Sequence, residues 1–505
     1  MTHHARSAGT EAPKPVTDLR WDDDRARTLG GHALDLWMEL LQRLPSLPVA
    51  RKWKDIDVAR KLGLAVPDAP ASMDALKRHL RELVFDYSMY PGHPRFMAFI
   101  TGAGTIPGAV ADLLAAAINQ NVGGYRLAPA ATEIEQFLGR WFGEQFGMPK
   151  GCGGIMASGG AMANFIALKA MRDAKCGFRV REQGVSAGPP LAIYASSEVH
   201  DVVTRGADML GLGSESVRKI PVDSQFRMRP EVLVDRLHHD LKNGVRPIGV
   251  VGTAGTVSTG AIDPLDAIAD VCRQHDLWFH VDGAYGALAV LADDLRPQFK
   301  GMERADSIAF DPHKWLYVPH SAGFVVVRDL QRLEDAFALH PSYVKEDKER
   351  TGHGVDQHIL GPQFSRGFSA LKVWLSLMAH GKQAYGRRIS HDAALARYMA
   401  ARAKERPELE VMAPVPLSIC CFRYVPGAGV PEGGKRETYL DALNERLMTE
   451  LQLDGRAFCS NAVSDGRFVL RACIVNFRTE AEDVDALLDV ACELGARLHG
   501  ELRPA

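Results

Sequence analysis

The chain runs to 505 residues, 46% of them hydrophobic, so it can bury a large core and is too long for one compact unit; two or three domains are expected. Its 60 lysines and arginines against 62 aspartates and glutamates leave a net charge of -2, which suggests neither nucleic acid nor an anionic membrane as partner. Charge or proline interrupts every apolar stretch before the about eighteen residues a membrane span requires, and the opening MTHHARSAGTEAPKP lacks the apolar core of a signal peptide. The cysteines form no CxxC and no Cys/His cluster at zinc spacing, so no metal site is expected, and scattered reduced thiols of a cytoplasmic protein fit best.

In chain order, Leu34, Trp37, Met38, Leu41 and Leu44 fall at helical spacing, an apolar stripe that needs a partner in its own domain or on a second subunit. Pro45, Pro48, Pro67 and Pro70 then mark a wandering segment, and YPGHPRFMAF, Tyr90–Phe99, reads as a loop lining a pocket or as a domain joint. From Gly102 to Gly381 helix and strand patterns alternate. A helix is expected over Ala131–Phe146, and strands over Gly154–Ala157, Leu191–Ala195, Ile248–Gly252, Trp278–Val281 and Ser307–Phe310. Between them, Pro230–Asn243 places Leu233, Leu237 and Leu241 on one helical face with Gly244 as its stop. Pro264–His275 reads as a helix with Asp263 as N-cap. Such alternation means an α/β fold with a mostly parallel sheet covered by helices on both faces. Ala322–Val327 follows too closely for a helical crossover and should run antiparallel. Strands over Leu417–Tyr424 and Phe468–Val475, with the helix Ala481–Arg497, form a smaller α/β domain, giving expected domains of 1–101 (helical), 102–382 (large) and 383–505 (small).

The chemistry lies after the strands, because ligands of open α/β sheets sit outside the C-terminal strand ends. Ser158, Gly159 and Gly160 lead into a helix and make either an anion cradle or a plain tight turn. His200, in SSEVHD, is structural or catalytic by its company. Thr253 and Thr256, among glycines that permit close approach to a flat ligand, could equally cap a helix. Asp282, in FHVDGAYGA, must be paired to stay charged, with a protonated heteroaromatic nitrogen or as a helix N-cap. Lys314, in DPHKW, is a Schiff-base candidate or a solvated charge.

In that order and spacing, SGGAMAN, EVHD, HVDGAYG and DPHKW resemble the group II pyridoxal-phosphate-dependent amino acid decarboxylases, and FVLRACIVNFRT extends the similarity into the C-terminal domain. The resemblance implies the fold-type I, PLP-dependent transferase-like architecture: a large domain with a mostly parallel sheet of the seven-stranded type, an N-terminal helical segment that clasps a second subunit, and a homodimer with shared active sites. It implies that Lys314 holds pyridoxal 5'-phosphate, that Asp282 keeps the pyridine nitrogen protonated and that His200 stacks on the ring. Gly160, Ala161 and His313 match positions around the phosphate and Thr253 a threonine near the ring, and Gly159, Ala284 and Asp311 are further expected cofactor-binding positions. Tyr343, in the polar stretch His340–Gly354, matches a tyrosine that protonates Cα after CO2 loss; with phenylalanine there the family is associated with oxidative aldehyde formation.

For the substrate, Phe99 and Tyr125 supply aromatic surface, while Arg366 matches a family arginine. An aromatic L-amino acid is the expected substrate. The alternatives are an acidic amino acid (glutamate, aspartate or cysteine sulfinate), diaminobutyrate, an oxygen-dependent aldehyde synthase or aminotransferase on the same fold, and a binding protein that has lost its chemistry. The presence of both Lys314 and Asp282 argues against the last.

Overall fold

A computed structural model describes residues 16–51, 58–339 and 354–502. By compactness the chain divides into one unit of residues 1–47 and 52–89 and a second of residues 48–51 and 90–505. The first unit pairs the helices Asp23–Arg43 and Met73–Phe85, and Arg81 binds Glu39 through two hydrogen bonds of 2.6 and 2.8 Å. Of its expected apolar stripe only Leu44 is buried, while Leu34 and Met38 are exposed and Leu36 turns inward instead.

The second unit holds two sheets. Their strands in chain order are β1 (Phe96–Met97), β2 (Gly153–Ala157), β3 (Leu191–Ser196), β4 (Val217–Ile220), β5 (Arg246–Thr253), β6 (Trp278–Asp282), β7 (Ser307–Phe310), β8 (Gly323–Val327), β9 (Leu409–Val411), β10 (Ile419–Tyr424), β11 (Phe458–Ser464) and β12 (Arg467–Cys473). The seven-stranded sheet runs β2-β8-β7-β6-β5-β3-β4, and every lateral pair is parallel except those that β8 makes with β2 and β7. Helices on both faces explain why β2, β3, β6, β7 and β8 are buried along their whole length and read as continuous apolar runs. The five-stranded sheet runs β1-β11-β12-β10-β9, so Phe96–Met97, expected in a loop or joint, adds a parallel strand to it.

The helix Pro230–Lys242 buries Leu233 and Leu237, but Leu241 is half exposed, so the third leucine of the expected face turns to solvent. Asp263 is not an N-cap. Its buried carboxylate accepts from the backbone N–H of Met228 (2.7 Å) and Thr253 (2.8 Å), tying the end of β5 to the preceding connection, and the helix begins at Leu265. Nor does Thr256 cap that helix: its hydroxyl bonds Thr259 and the Ala261 N–H, bracing its own loop.

Behind the end of β7, Phe142, Phe310 and Phe324 pack with ring centroids 4.7–5.5 Å apart. Just beyond, Pro312–Trp315 makes a single helical turn. Trp315 is fully buried, stacks on Tyr285 at 4.9 Å and donates its indole N–H to Asp392, which also accepts from the Tyr317 hydroxyl at 2.6 Å. Arg388 neutralises Asp392 from the next helical turn. Anchored on both sides by these side chains, the turn can present only Lys314 and His313 toward the sheet edge. Truncating a tryptophan so buried costs about 3–5 kcal/mol, so the anchor is rigid.

Candidate active site

At the C-terminal ends of β2, β3, β5, β6 and β7 the structure brings together the Gly159–Gly160 turn, Thr253, Asp282, Asp311, His313 and Lys314. Lys314 Nζ lies 3.1 Å from Asp311 Oδ2, so the amine is held inward by a buried carboxylate instead of reaching solvent. Asp311 Oδ1 is buried without a hydrogen-bond partner among the described residues. His313 accepts from the Ala322 N–H at Nδ1 (3.1 Å), which leaves the proton of a neutral ring on Nε2. Burial holds the His313 pKa down at about 4, so the ring is a neutral donor at Nε2, 3.7 Å from Asp311 Oδ2.

Asp282, the last residue of β6, is 4% exposed. Its Oδ1 accepts from Asn164 Nδ2 at 3.3 Å and from the Ala284 N–H at 3.2 Å, and among the described residues Oδ2 has no hydrogen bond. Gly160 opens a 16-residue helix at this edge, where unpaired amides and the helix dipole favour an anion. A Cβ on Gly160 would lie 2.7 Å from Asp311 Oδ2 and 3.2 Å from the Ala284 Cβ, so a side chain there would close the space that glycine leaves. Ala161 stands exposed in the first turn.

His200 follows β3 and N-caps the helix Asp201–Met209, accepting from the Val202 N–H at Nδ1 (3.1 Å). It borders an open cleft of about 1160 Å³ whose other walls include Glu198, Asp201, Asp223, Val257 and Asp465. Burial raises the pKa of Glu198. Phe99 is half exposed at φ +54° and donates its N–H to Ser460 Oγ. Tyr125 is anchored by Asp356, which accepts its N–H at 2.6 Å, and its ring packs directly on Gly354. Arg366 is buried; its Nη2 donates to Glu135 at 2.6 Å and to the Met156 carbonyl at 2.9 Å, bracing the end of β2. Its charge is answered by Glu135, while its Nη1 is buried without a hydrogen-bond partner among the described residues. Tyr343 lies outside the described residues.

Sequence reasoning passed over Arg471, which lies inside FVLRACIVNFRT. It is 4% exposed and makes no ion pair among the described residues; its guanidinium donates to Ser460 Oγ (2.9 Å) and to the Val257 carbonyl. A buried guanidinium without a carboxylate is uncommon enough to mark a place for an anion. The signal available in the sequence was an arginine inside an otherwise apolar strand.

The model of the pyridoxal-dependent decarboxylase conserved domain matches residues 57–425. The chain belongs to that family. It is 32% identical over 468 residues, 92% of this chain and 95% of the relative, to an aromatic-L-amino-acid decarboxylase of Bacillus atrophaeus. It is 32% identical over 381 residues, 74% of this chain and 76% of the relative, to the cysteine sulfinic acid decarboxylase of Mus musculus. Among solved structures, that of Oryza sativa TDC with PLP and tryptamine superposes with a TM-score of 0.87 at 28% identity, covering 96% of this chain and 99% of that one. The chain is thus a carboxy-lyase of fold type I that works with pyridoxal 5'-phosphate. The sheet edge of this decarboxylase fits that cofactor: a glycine cradle suited to a phosphate, a neutral imidazole donor at His313 Nε2 and, among the described residues, a carboxylate with one open oxygen at Asp282 and buried polar atoms without partners at Ser196 Oγ, Thr253 Oγ1 and Asp311 Oδ1.

Proposed function

We propose that this decarboxylase removes the α-carboxylate of an aromatic L-amino acid, releasing the amine and CO2, and that it works as a cytoplasmic homodimer with active sites shared between subunits. The observation that carries the aromatic reading is the charge of the cleft beside His200. Glu198, Asp201, Asp223 and Asp465 line it and, among the described residues, no lysine or arginine does, a field on the His200 side of the sheet edge that opposes a second carboxylate. Arg471 answers one carboxylate, the one every amino acid carries, whereas Arg366 is spent on Glu135. Phe99 offers an exposed aromatic face beside Ser460, to which Arg471 is bonded.

Bound pyridoxal phosphate supplies an electron sink for the electron pair released when CO2 departs. Lys314 Nζ is the amine that would hold it, and Asp311 orients that amine toward the crevice. Asp282, with Oδ2 open, would keep the ring nitrogen protonated. The Gly160 and Ala161 amides and His313 Nε2 would hold the phosphate, the Thr253 hydroxyl would face the ring edge, and His200 and Ala284 would take its two faces. Tyr343 would deliver the proton from Oη to Cα.

The second copy is supported by the helix Ile106–Ile118, where Ile106, Val110, Leu113, Leu114 and Ile118 share one face and are 37–70% exposed. The cysteines among the described residues are free and nearly all buried, in keeping with a reducing compartment. The test of substrate is CO2 release across tyrosine, phenylalanine, tryptophan, DOPA, glutamate, aspartate, cysteine sulfinate and diaminobutyrate: tyrosine, tryptophan, phenylalanine or DOPA should lead, and amine from glutamate alone would overturn the aromatic reading. An acidic substrate is favoured by one observation, the exposed Arg126, which makes no ion pair among the described residues. Hydrogen peroxide formed in step with CO2 would instead indicate an aldehyde synthase.

A further inference from the structure

We propose that Asn164, His280, Ser307 and Trp278 form a directed hydrogen-bond chain that positions Asp282, with Asn164 as the positioning residue that leaves Asp282 Oδ2 free for the cofactor nitrogen. The inference rests on the role of Asp282 given above. Taken from the Asp282 end, the chain allows one orientation. Asn164 Nδ2 lies 2.9 Å from the Gly160 carbonyl and 3.3 Å from Asp282 Oδ1, both acceptors, so the amide must turn its NH2 toward them and its Oδ1 away. That Oδ1 lies 2.8 Å from His280 Nε2, which must therefore carry the ring proton. His280 Nδ1 is then an acceptor, 2.8 Å from Ser307 Oγ, and the serine hydroxyl donates to it; the Ser307 carbonyl lies farther off, 3.2 Å from the same nitrogen, and the proton required on Nε2 by Asn164 Oδ1 leaves it without a donor there. Ser307 Oγ accepts in turn from Trp278 Nε1 at 2.8 Å.

The chain starts at an indole, which can only donate, and ends at a carboxylate, which can only accept, so every proton points toward Asp282. Its members come from one helix and two adjacent strands, and Trp278, His280, Ser307 and Asn164 are all at most 3% exposed. Burial holds the His280 pKa at about 4, which keeps the ring neutral and the polarity of the chain unchanged at neutral pH. Hydrogen bonds so aligned polarise one another, and both donors they supply with the Ala284 amide land on Oδ1. Without Asn164 a buried Asp282 would lose a donor to its charged form, and its carboxyl plane would be free to rotate.

The experiment is a titration of pyridoxal 5'-phosphate into cofactor-free enzyme, read by visible absorption, for the natural chain and for Asp282→Asn, Asn164→Leu, His280→Phe and Ser307→Ala, with far-ultraviolet circular dichroism as the check of folding. Asp282→Asn should weaken cofactor binding most. Asn164→Leu should weaken it about tenfold and displace the visible band, with kcat falling while KM stays near its original value. His280→Phe should do less of the same and Ser307→Ala least. His280→Gln, which keeps a donor and an acceptor, should recover part of the loss. Folded Asn164→Leu and His280→Phe with unchanged cofactor affinity and spectrum would overturn the chain while leaving Asp282 in its role. Unchanged Asp282→Asn would overturn that role itself. Should Asn164→Leu fail to fold, His280→Phe, which keeps the shape of the ring, decides alone.

Discussion

Two groups of buried carboxylates in this fold are treated in opposite ways. Asp263 and Asp392 are saturated: the first by two backbone N–H groups, the second by Trp315, Tyr317 and Arg388. Asp282 and Asp311, at the ends of β6 and β7, each keep an oxygen without a hydrogen bond among the described residues. Asp311 Oδ1 is fully buried, and a buried polar atom left open costs about 1–3 kcal/mol, a cost that a bound group donating to it would relieve. The saturated pair holds the frame on which the open pair is displayed. Burial alone does not tell the two apart, nor does the number of donors, which is two for Asp263 and two for Asp282; what differs is whether the donors cover both oxygens of the carboxylate or only one.

The sharpest break of that contrast is on the open side. Lys314→Ala should reduce decarboxylation by ~10³-fold or more and abolish the visible band of the bound cofactor, with the fold intact by circular dichroism. Asp282→Asn should lower kcat by about 100-fold while the melting temperature of the cofactor-free enzyme moves little, since the amide still accepts from Asn164 and Ala284. On the saturated side the signature reverses. Asp392→Ala leaves the Trp315 and Tyr317 donors unpaired in the interior and Arg388 with only Glu480 and two carbonyls, and should cost about 2–5 kcal/mol of stability, measured by urea unfolding, before any effect on chemistry is read. Arg471→Met should fall between the two: kcat/KM lower by about 10–100-fold through a charged hydrogen bond to substrate, and a protein no less stable, because a buried charge without a counter-ion is removed. A stability loss with unchanged kcat/KM would move Arg471 to the saturated group.

Much of the frame was legible in the chain because the central strands are covered on both faces and therefore read as unbroken apolar runs; β7 falls on the residues expected for it. The close spacing of Phe310 and Gly323 foretold the antiparallel β8. Strands that carry polar residues escaped. β4, with Arg218 and Lys219, sits at the edge of the large sheet, and β11, with Ser460 and Asn461, belongs to the small one. Asp263 before Pro264 has the local grammar of a helix cap, and only the tertiary approach of Met228 and Thr253 claims its carboxylate instead. Asn164 and His280 stood in view inside SGGAMAN and HVDGAYG, yet their contact joins residues 116 positions apart and has no trace in either stretch. Arg366 stood out by its match and Arg471 did not, and neither stretch reveals that Glu135, far away in sequence, gives the first a counter-ion.

The smallest expected effect is a slope with pH, and it compares the same two groups. Burial raises the Asp263 pKa to about 6, so the folded chain keeps that proton through a range where the unfolded chain has released it. Its contribution is therefore present below the ordinary carboxyl pKa of about 4 and is lost as pH rises through about 6. His280 and His313 act with the opposite sign. Their folded pKa values of about 4 lie below the ordinary imidazole value, so the unfolded chain takes up protons first on acidification, and their contribution, present above about 6.5, is lost as pH falls through about 4. Each term is of order 2–3 kcal/mol across the window from about pH 4 to 6.5. Urea unfolding of cofactor-free enzyme at several pH values should show Asp263→Asn steepening the gain in stability with rising pH and His280→Phe flattening it. Parallel slopes for the two variants would mean that neither side chain is held in the protonation state its surroundings favour.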